Sequence, residues 1–298
     1  MLTALLNGGV GLIMSLYQIV ILAIVQGAAE LLPVSSSAHV IVAEKLMGLD
    51  PTKPEMTLLL VMLHTGTMFA VIYYFWKSWR ESFFSSSKVL LDSVKMVILA
   101  TGITGIVGLS LKHLIEKFFM ANVSHAEIEM LFGNLNLISV SLAVVGVLII
   151  FAGIKGRNIP DEKSSVGILE SSYIGAVQGV CLPFRGFSRS GATISTGLLL
   201  KTSRRKAEEF SFALAVVLTP PVIVREVMRL MKGQHASTIR DMTGLFMPSL
   251  LGMVFSFIAG LIALKWLSSW LEKGRWHLFG VYCICVSIVV FILHLNGL

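Results

Sequence analysis

Gln26-Gly-Ala-Ala-Glu-Leu-Leu-Pro-Val-Ser-Ser-Ser-Ala-His39 interrupts the first apolar segment of the chain with polar groups. It sets a carboxylate, three consecutive hydroxyls and an imidazole inside a segment, residues 9–48, that is otherwise apolar. Proline ends a helix because it lacks the amide donor and crowds the preceding turn. Serine ahead of a helix accepts the free amides of its first turn. Pro33 and Ser35-Ser36-Ser37 therefore predict a helix, a turn and a second helix, with His39 opening the second arm. Gln26 and Glu30 are four apart and share one face of the first arm.

A second polar stretch, Arg185-Gly-Phe-Ser-Arg-Ser-Gly-Ala-Thr193, breaks residues 166–200 in the same manner. Neither segment makes one clean span. Irregular backbone at membrane depth is tolerated only where it is buried in protein or lines a wet cavity. Both segments are thus predicted to be re-entrant helix-loop-helix pairs whose tips meet.

Composition places these breaks in a membrane. Of 298 residues, 55% are apolar and 14% charged, with a mean hydropathy of +0.82. Soluble domains carry about 25% charged residues. Six further runs are long enough to cross a bilayer, near 57–76, 94–112, 131–154, 210–228, 245–267 and 277–295. The fold class is an all-α polytopic membrane protein with six full transmembrane helices and two re-entrant pairs. The net charge of +7 belongs to loops facing anionic lipid, and no nucleic-acid module is visible. Cys181, Cys283 and Cys285 lie in apolar runs without metal-ligand spacing, and no removable signal is expected at the N-terminus.

The order pair, span, span, span occurs twice. Val25-Gln26-Gly27 and Val177-Gln178-Gly179 hold the same place in the two first arms. This predicts one membrane domain over 1–298, built from repeats 1–154 and 166–298. Each repeat crosses three times, so the second inserts upside down, giving an inverted-topology repeat with broken helices at the midplane. Loops 77–95, 155–165, 201–206 and 265–275 carry 14 of the 24 Lys and Arg residues, which assigns them to the cytoplasm. The first pair then enters from outside.

Several other features read as structural. Gly102, Gly105 and Gly108 are expected at close helix contacts. Trp76, Trp79, Trp266, Trp270 and Trp276 are expected as interfacial anchors. His64 reads as a hydrogen-bonded core residue, and Lys201 to Lys206 as a topology signal.

Ionisable groups within a membrane are costly and mark functional sites. Glu30, Ser36 and His39 offer a nucleophile and acid-base groups, with Ser35 beside them. Arg189 offers a planar cation suited to phosphate oxygens. Ser188, Ser190 and Thr193 add hydroxyl donors, while Gly186 and Gly191 allow close backbone approach. Glu30 could also hold a divalent cation bridging diphosphate oxygens. The residues alone point to a membrane-embedded site for a phosphorylated lipid. A lipid-phosphate flippase or transporter without hydrolysis is the alternative.

The paired motifs resemble those of the undecaprenyl-diphosphate phosphatase family, the bacitracin-resistance membrane phosphatases. That family carries Glu/Gln-x-x-x-Glu running into Pro-Val-Ser-Ser and a following His, matched by Gln26, Glu30, Pro33 to Ser36 and His39. Its Pro-Gly-x-Ser-Arg-Ser-Gly-x-Thr element is matched from Gly186 to Thr193. The resemblance covers essentially the whole chain. It implies removal of one phosphate from a C55 prenyl diphosphate, recycling the carrier lipid for cell-wall synthesis. It also implies a requirement for Mg²⁺ or Ca²⁺, the bacterial inner membrane, and a site open to the periplasm. Glu30 would serve metal binding or acid-base work. Ser36 would be the nucleophile with Ser35 supporting, and His39 the base or itself the phosphate acceptor. Arg189, Ser188, Ser190 and Thr193 would hold phosphate. Membrane lipids are expected partners, and a second copy of the chain is a candidate one. Two positions depart from the pattern. Gln26 is an amide where an acid can stand, and Arg185 replaces the proline before Gly186, with Pro183 displaced upstream.

Overall fold

The computed structural model describes residues 15–49, 54–119, 133–156, 166–233 and 239–297. Among the described residues there are ten α-helices and no strand. They are α1 (Leu16–Leu31), α2 (Ser36–Leu46), α3 (Pro54–Ser82), α4 (Ser87–Phe119), α5 (Leu135–Lys155), α6 (Ile168–Cys181), α7 (Arg189–Leu199), α8 (Arg204–Gly233), α9 (Ile239–Glu272) and α10 (Trp276–Leu295). Helices α3, α4, α5, α8, α9 and α10 are long and apolar enough to cross a bilayer, so the chain is a multi-pass membrane protein. They are the six runs expected from hydropathy. Most extend past the apolar windows, because nothing in the flanking Lys, Ser and Glu residues stops a helix.

The two breaks produce short arms of 16, 11, 14 and 11 residues for α1, α2, α6 and α7. About 20 are needed to span. Helix α1 closes on the Leu32 amide, which donates to the Ala28 carbonyl at 3.0 Å, and Pro33 then offers no donor. Ser35 turns the chain with φ +67 and caps α2 through the Ala38 amide at 3.5 Å. In the second break Ser188 caps α7 through the Gly191 amide at 3.2 Å. Gly186, at φ +92, passes so close to α5 that a Cβ there would stand 2.5 Å from the Ile138 carbonyl oxygen. Only glycine fits both that conformation and that approach.

The two halves exchange packing partners. Helix α1 packs on α9 and α6 on α4, while α3 meets α8 and α5 meets α10. The paired Gln-Gly steps do equivalent work. A Cβ on Gly27 would lie 2.6 Å from the Ser256 carbonyl oxygen of α9, and one on Gly179 would lie 2.9 Å from that of Thr104 on α4. Small residues let helix backbones approach where lipid supplies no hydrophobic contrast. The largest apolar core runs through the middle of this arrangement, around Leu31, Phe75, Leu142, Ile149, Phe212 and Leu264. Of the expected first repeat, residues 1–14, 50–53 and 120–132 lie outside the described residues.

Two structural expectations are corrected. Gly102 and Gly105 face open space, and of that trio only Gly108 makes a close contact, against Leu182. Trp79 and Trp276 are buried rather than interfacial, and their indole N–H groups donate to the Glu209 carbonyl at 3.2 Å and to Ser195 Oγ at 2.9 Å. The basic run, expected only as a topology signal, also makes contacts within the fold. Arg204 donates to the terminal carbonyls of α9 and α5, at Glu272 and Gly156. Arg205 and Lys206 meet the fully buried Glu209 at 2.9 and 3.2 Å.

Candidate active site

The tips of the two breaks touch. Ser37 Oγ accepts the Gly186 amide at 3.2 Å, and Ser190 Oγ donates to the Leu32 carbonyl at 3.3 Å. This contact brings Glu30 and Arg189 together, from residues 159 positions apart: Arg189 Nη2 lies 3.6 Å from Glu30 Oε1. The other carboxylate oxygen, Oε2, accepts Ser36 Oγ at 2.5 Å and Gln26 Nε2 at 3.1 Å. A hydroxyl, a carboxylate and a guanidinium thus form one connected group, with the charges of Glu30 and Arg189 offsetting each other.

The amide of Gln26 does what an acid at that position could not. Its amide nitrogen also lies 3.0 Å from His64 Nδ1, so its two hydrogens serve Glu30 and His64 together when the imidazole carries its proton on Nε2. An ionised carboxylate could not donate. His64 Nδ1 is 3.9 Å from Glu30 Oε2. His64 is hydrogen-bonded as expected, yet it belongs to this group, and its place on α3 gave no sequence signal beyond a polar residue in an apolar span.

His39 sits elsewhere. Its Nδ1 donates to the Ser35 carbonyl at 2.8 Å, and its Nε2 meets the Tyr282 hydroxyl at 2.8 Å. Both ring nitrogens are therefore engaged by partners other than Ser36. Tyr282, on α10, was invisible to sequence reasoning because 243 residues separate the pair.

The hydroxyls of the second break are buried and bonded within the fold. Ser188 caps α7, Ser190 holds the first break, and Thr193 donates to the Arg189 carbonyl at 2.8 Å and meets Ser211 Oγ at 2.6 Å. Arg189 Nη1 reaches the Ser211 carbonyl at 3.5 Å. These bonds fix the turn that presents Arg189, whose side chain is 20% exposed. Ser35 likewise caps α2 and lies 3.2 Å from Ser37 Oγ. Gly191 has no room for a side chain beside Ile149, where a Cβ would approach to 2.7 Å. Arg185 interacts electrostatically with Glu44, a buried carboxylate on α2, so the replaced proline becomes another link between the breaks.

A divalent cation can be judged from the donor set. Among the described residues, no cluster of three or more His, Cys, Asp or Glu could hold a metal by itself. Glu30 supplies one carboxylate, which suits Mg²⁺ only in the mode that shares substrate phosphate oxygens. The donor set thus offers a cation one carboxylate, Glu30, whose Oε1 faces Arg189 and whose Oε2 accepts Ser36 and Gln26.

The fold and site define an all-helical polytopic membrane protein with a charged, hydroxyl-bearing site between two broken helical pairs. The chain belongs to the bacitracin resistance protein BacA family, whose model matches residues 19–289. It is 58% identical over 280 residues to undecaprenyl-diphosphatase 2 of Acinetobacter baylyi, covering 93% of this chain and 97% of that protein. It is 33% identical to undecaprenyl-diphosphatase 2 of Burkholderia ambifaria, covering 92% and 95%, and 31% identical to the undecaprenyl-diphosphatase of Thermodesulfovibrio yellowstonii, covering 94% and 97%.

Proposed function

We infer that the chain is a membrane phosphatase that hydrolyses undecaprenyl diphosphate to undecaprenyl phosphate and inorganic phosphate. The observation that carries this reading is Ser36 Oγ hydrogen-bonded to Glu30, with Arg189 opposite. Family membership and the names of the relatives support the substrate.

Phosphoryl transfer needs positioning and charge neutralisation more than covalent machinery. Ser36 Oγ attacks the terminal phosphorus, and its proton passes to Glu30, which already accepts that hydroxyl. The anhydride P–O bond breaks, and undecaprenyl phosphate leaves with the electron pair. Water then cleaves the phosphoserine and releases phosphate. The guanidinium of Arg189 holds phosphoryl oxygens and offsets the developing charge. A divalent cation held by Glu30 and the diphosphate would supply further charge neutralisation.

The halves insert in opposite senses, with the site open to the periplasmic side of the bacterial inner membrane. The exchange of packing partners between halves and the excess of Lys and Arg in the cytoplasmic set of loops support this. Labelling of single cysteines at 88 and 45 from either face tests the orientation: the first is expected to react from the cytoplasm, the second from outside.

Phosphate release from the C55 diphosphate by purified protein in proteoliposomes tests the activity. Movement of the lipid across the bilayer with no phosphate released would overturn it.

A further inference from the structure

We propose that Tyr282 is a positioning residue of this site, acting through His39 on the turn that presents Ser36. The proposal rests on the phosphatase reading above.

A neutral imidazole has one N–H and one acceptor nitrogen. The Ser35 carbonyl, 2.8 Å from Nδ1, can only accept, so Nδ1 carries the hydrogen and Nε2 is the acceptor. Tyr282 then donates its hydroxyl to Nε2 at 2.8 Å. The two rings are also stacked, with centroids 5.7 Å apart and planes within 8°. Both ring nitrogens are therefore engaged and the ring plane is set.

Tyr282 is itself held in place. Its neighbour Cys283 donates Sγ–H to the Pro33 carbonyl at 3.2 Å, fastening α10 to the first break. One turn further, Ser287 Oγ donates to the Ser139 carbonyl of α5 at 2.7 Å. The last span is thus anchored at the two successive turns that begin beside the residue whose hydroxyl reaches His39.

The other end of the chain of contacts is Ser35. Its φ of +67 is unusual for a residue with a side chain, and such a conformation persists where neighbours over-determine it. His39 grips the carbonyl of that residue, and Ser36 follows directly. Losing the Tyr282 hydroxyl removes one of the two bonds that hold the imidazole, and so loosens the ring that grips Ser35 and, with it, the nucleophile against Glu30.

The test compares Tyr282→Phe with wild type in phosphate-release kinetics on the prenyl diphosphate. Phenylalanine keeps the stacked ring and loses only the hydroxyl. The expected result is a kcat about tenfold lower, the effect of one neutral hydrogen bond, with KM and melting temperature unchanged. In ¹⁵N-histidine spectra the His39 Nε2 resonance moves in Tyr282→Phe. Adding Tyr282→Phe to His39→Ala slows the enzyme no further than His39→Ala alone. A wild-type kcat, or losses that add fully in the double variant, overturns the positioning role. If wild-type protein releases no phosphate, the phosphatase reading fails instead. The resonance remains a separate measure of the Tyr282–His39 bond, and an unmoved Nε2 signal overturns the proposal in either case.

Discussion

Ser36 Oγ stands 2.5 Å from Glu30 Oε2, although a proline, a turn and a change of helix separate them. The short distance exists because Pro33 ends α1 just beyond the carboxylate and Ser36 opens α2 facing back toward it.

This contact orders the effects of substitution. Ser36→Ala and Glu30→Gln are each expected to lower kcat by about 10²- to 10⁴-fold, the usual range for removing a positioned proton acceptor or its partner. His39→Ala is expected to cost about tenfold, since its bonds go to Ser35 and Tyr282 rather than to Ser36. Phosphate release under saturating substrate checks the order, and equal losses at Glu30 and His39 would count against Glu30 as the acceptor.

Arg189→Lys retains the charge and loses the planar fork. Its expected effect is a rise in KM for the diphosphate and a drop in kcat/KM of about tenfold or more, because a point charge replaces a two-pronged donor. Steady-state kinetics across substrate concentration reads this directly.

Gly186→Ala brings a side chain into the left-handed region, with its Cβ against the Ile138 carbonyl. A destabilisation of about 1–3 kcal/mol is expected from backbone strain at such a site. Thermal unfolding in detergent, with Gly133→Ala as a comparison at a glycine with open space around it, measures the difference.

Glu209→Ala removes the common partner of Arg205, Lys206 and Ser78 from a fully buried position. The cations left behind, Arg205 and Lys206, are 59% and 35% exposed and can be hydrated, so the lost charged hydrogen bonds are expected to cost about 1–3 kcal/mol. The remaining folded protein is expected to keep its kcat, since this network shares no contact with Glu30 or Ser36. A melting curve alongside activity per folded molecule separates the two effects.

Removal of divalent cations with a chelator is expected to abolish phosphate release, and addition of Mg²⁺ or Ca²⁺ to restore it. Unchanged turnover in chelator would remove the cation from the proposed mechanism and leave Arg189 as the charge partner.

The class of protein and the ingredients of the site were legible in the residues alone. Hydropathy located six spans, because a bilayer demands long apolar helices and tolerates little else. Pro33 and the serine caps marked where two helices must break, because those residues act on their own backbone. The costliness of Glu30 and Arg189 in apolar surroundings marked them as a site, and short-range rules placed Gln26 and Glu30 on one face. What each polar group touches depended on how distant helices fold against one another. Sequence periodicity carries no term for a contact between residues 39 and 282, so Tyr282 was hidden and His39 could be read as partner to Ser36. Ser188, Ser190 and Thr193 looked like free donors because a hydroxyl's bonds depend on the neighbour folded against it. Their burial at the junction of the two breaks turned them into the frame that presents Arg189.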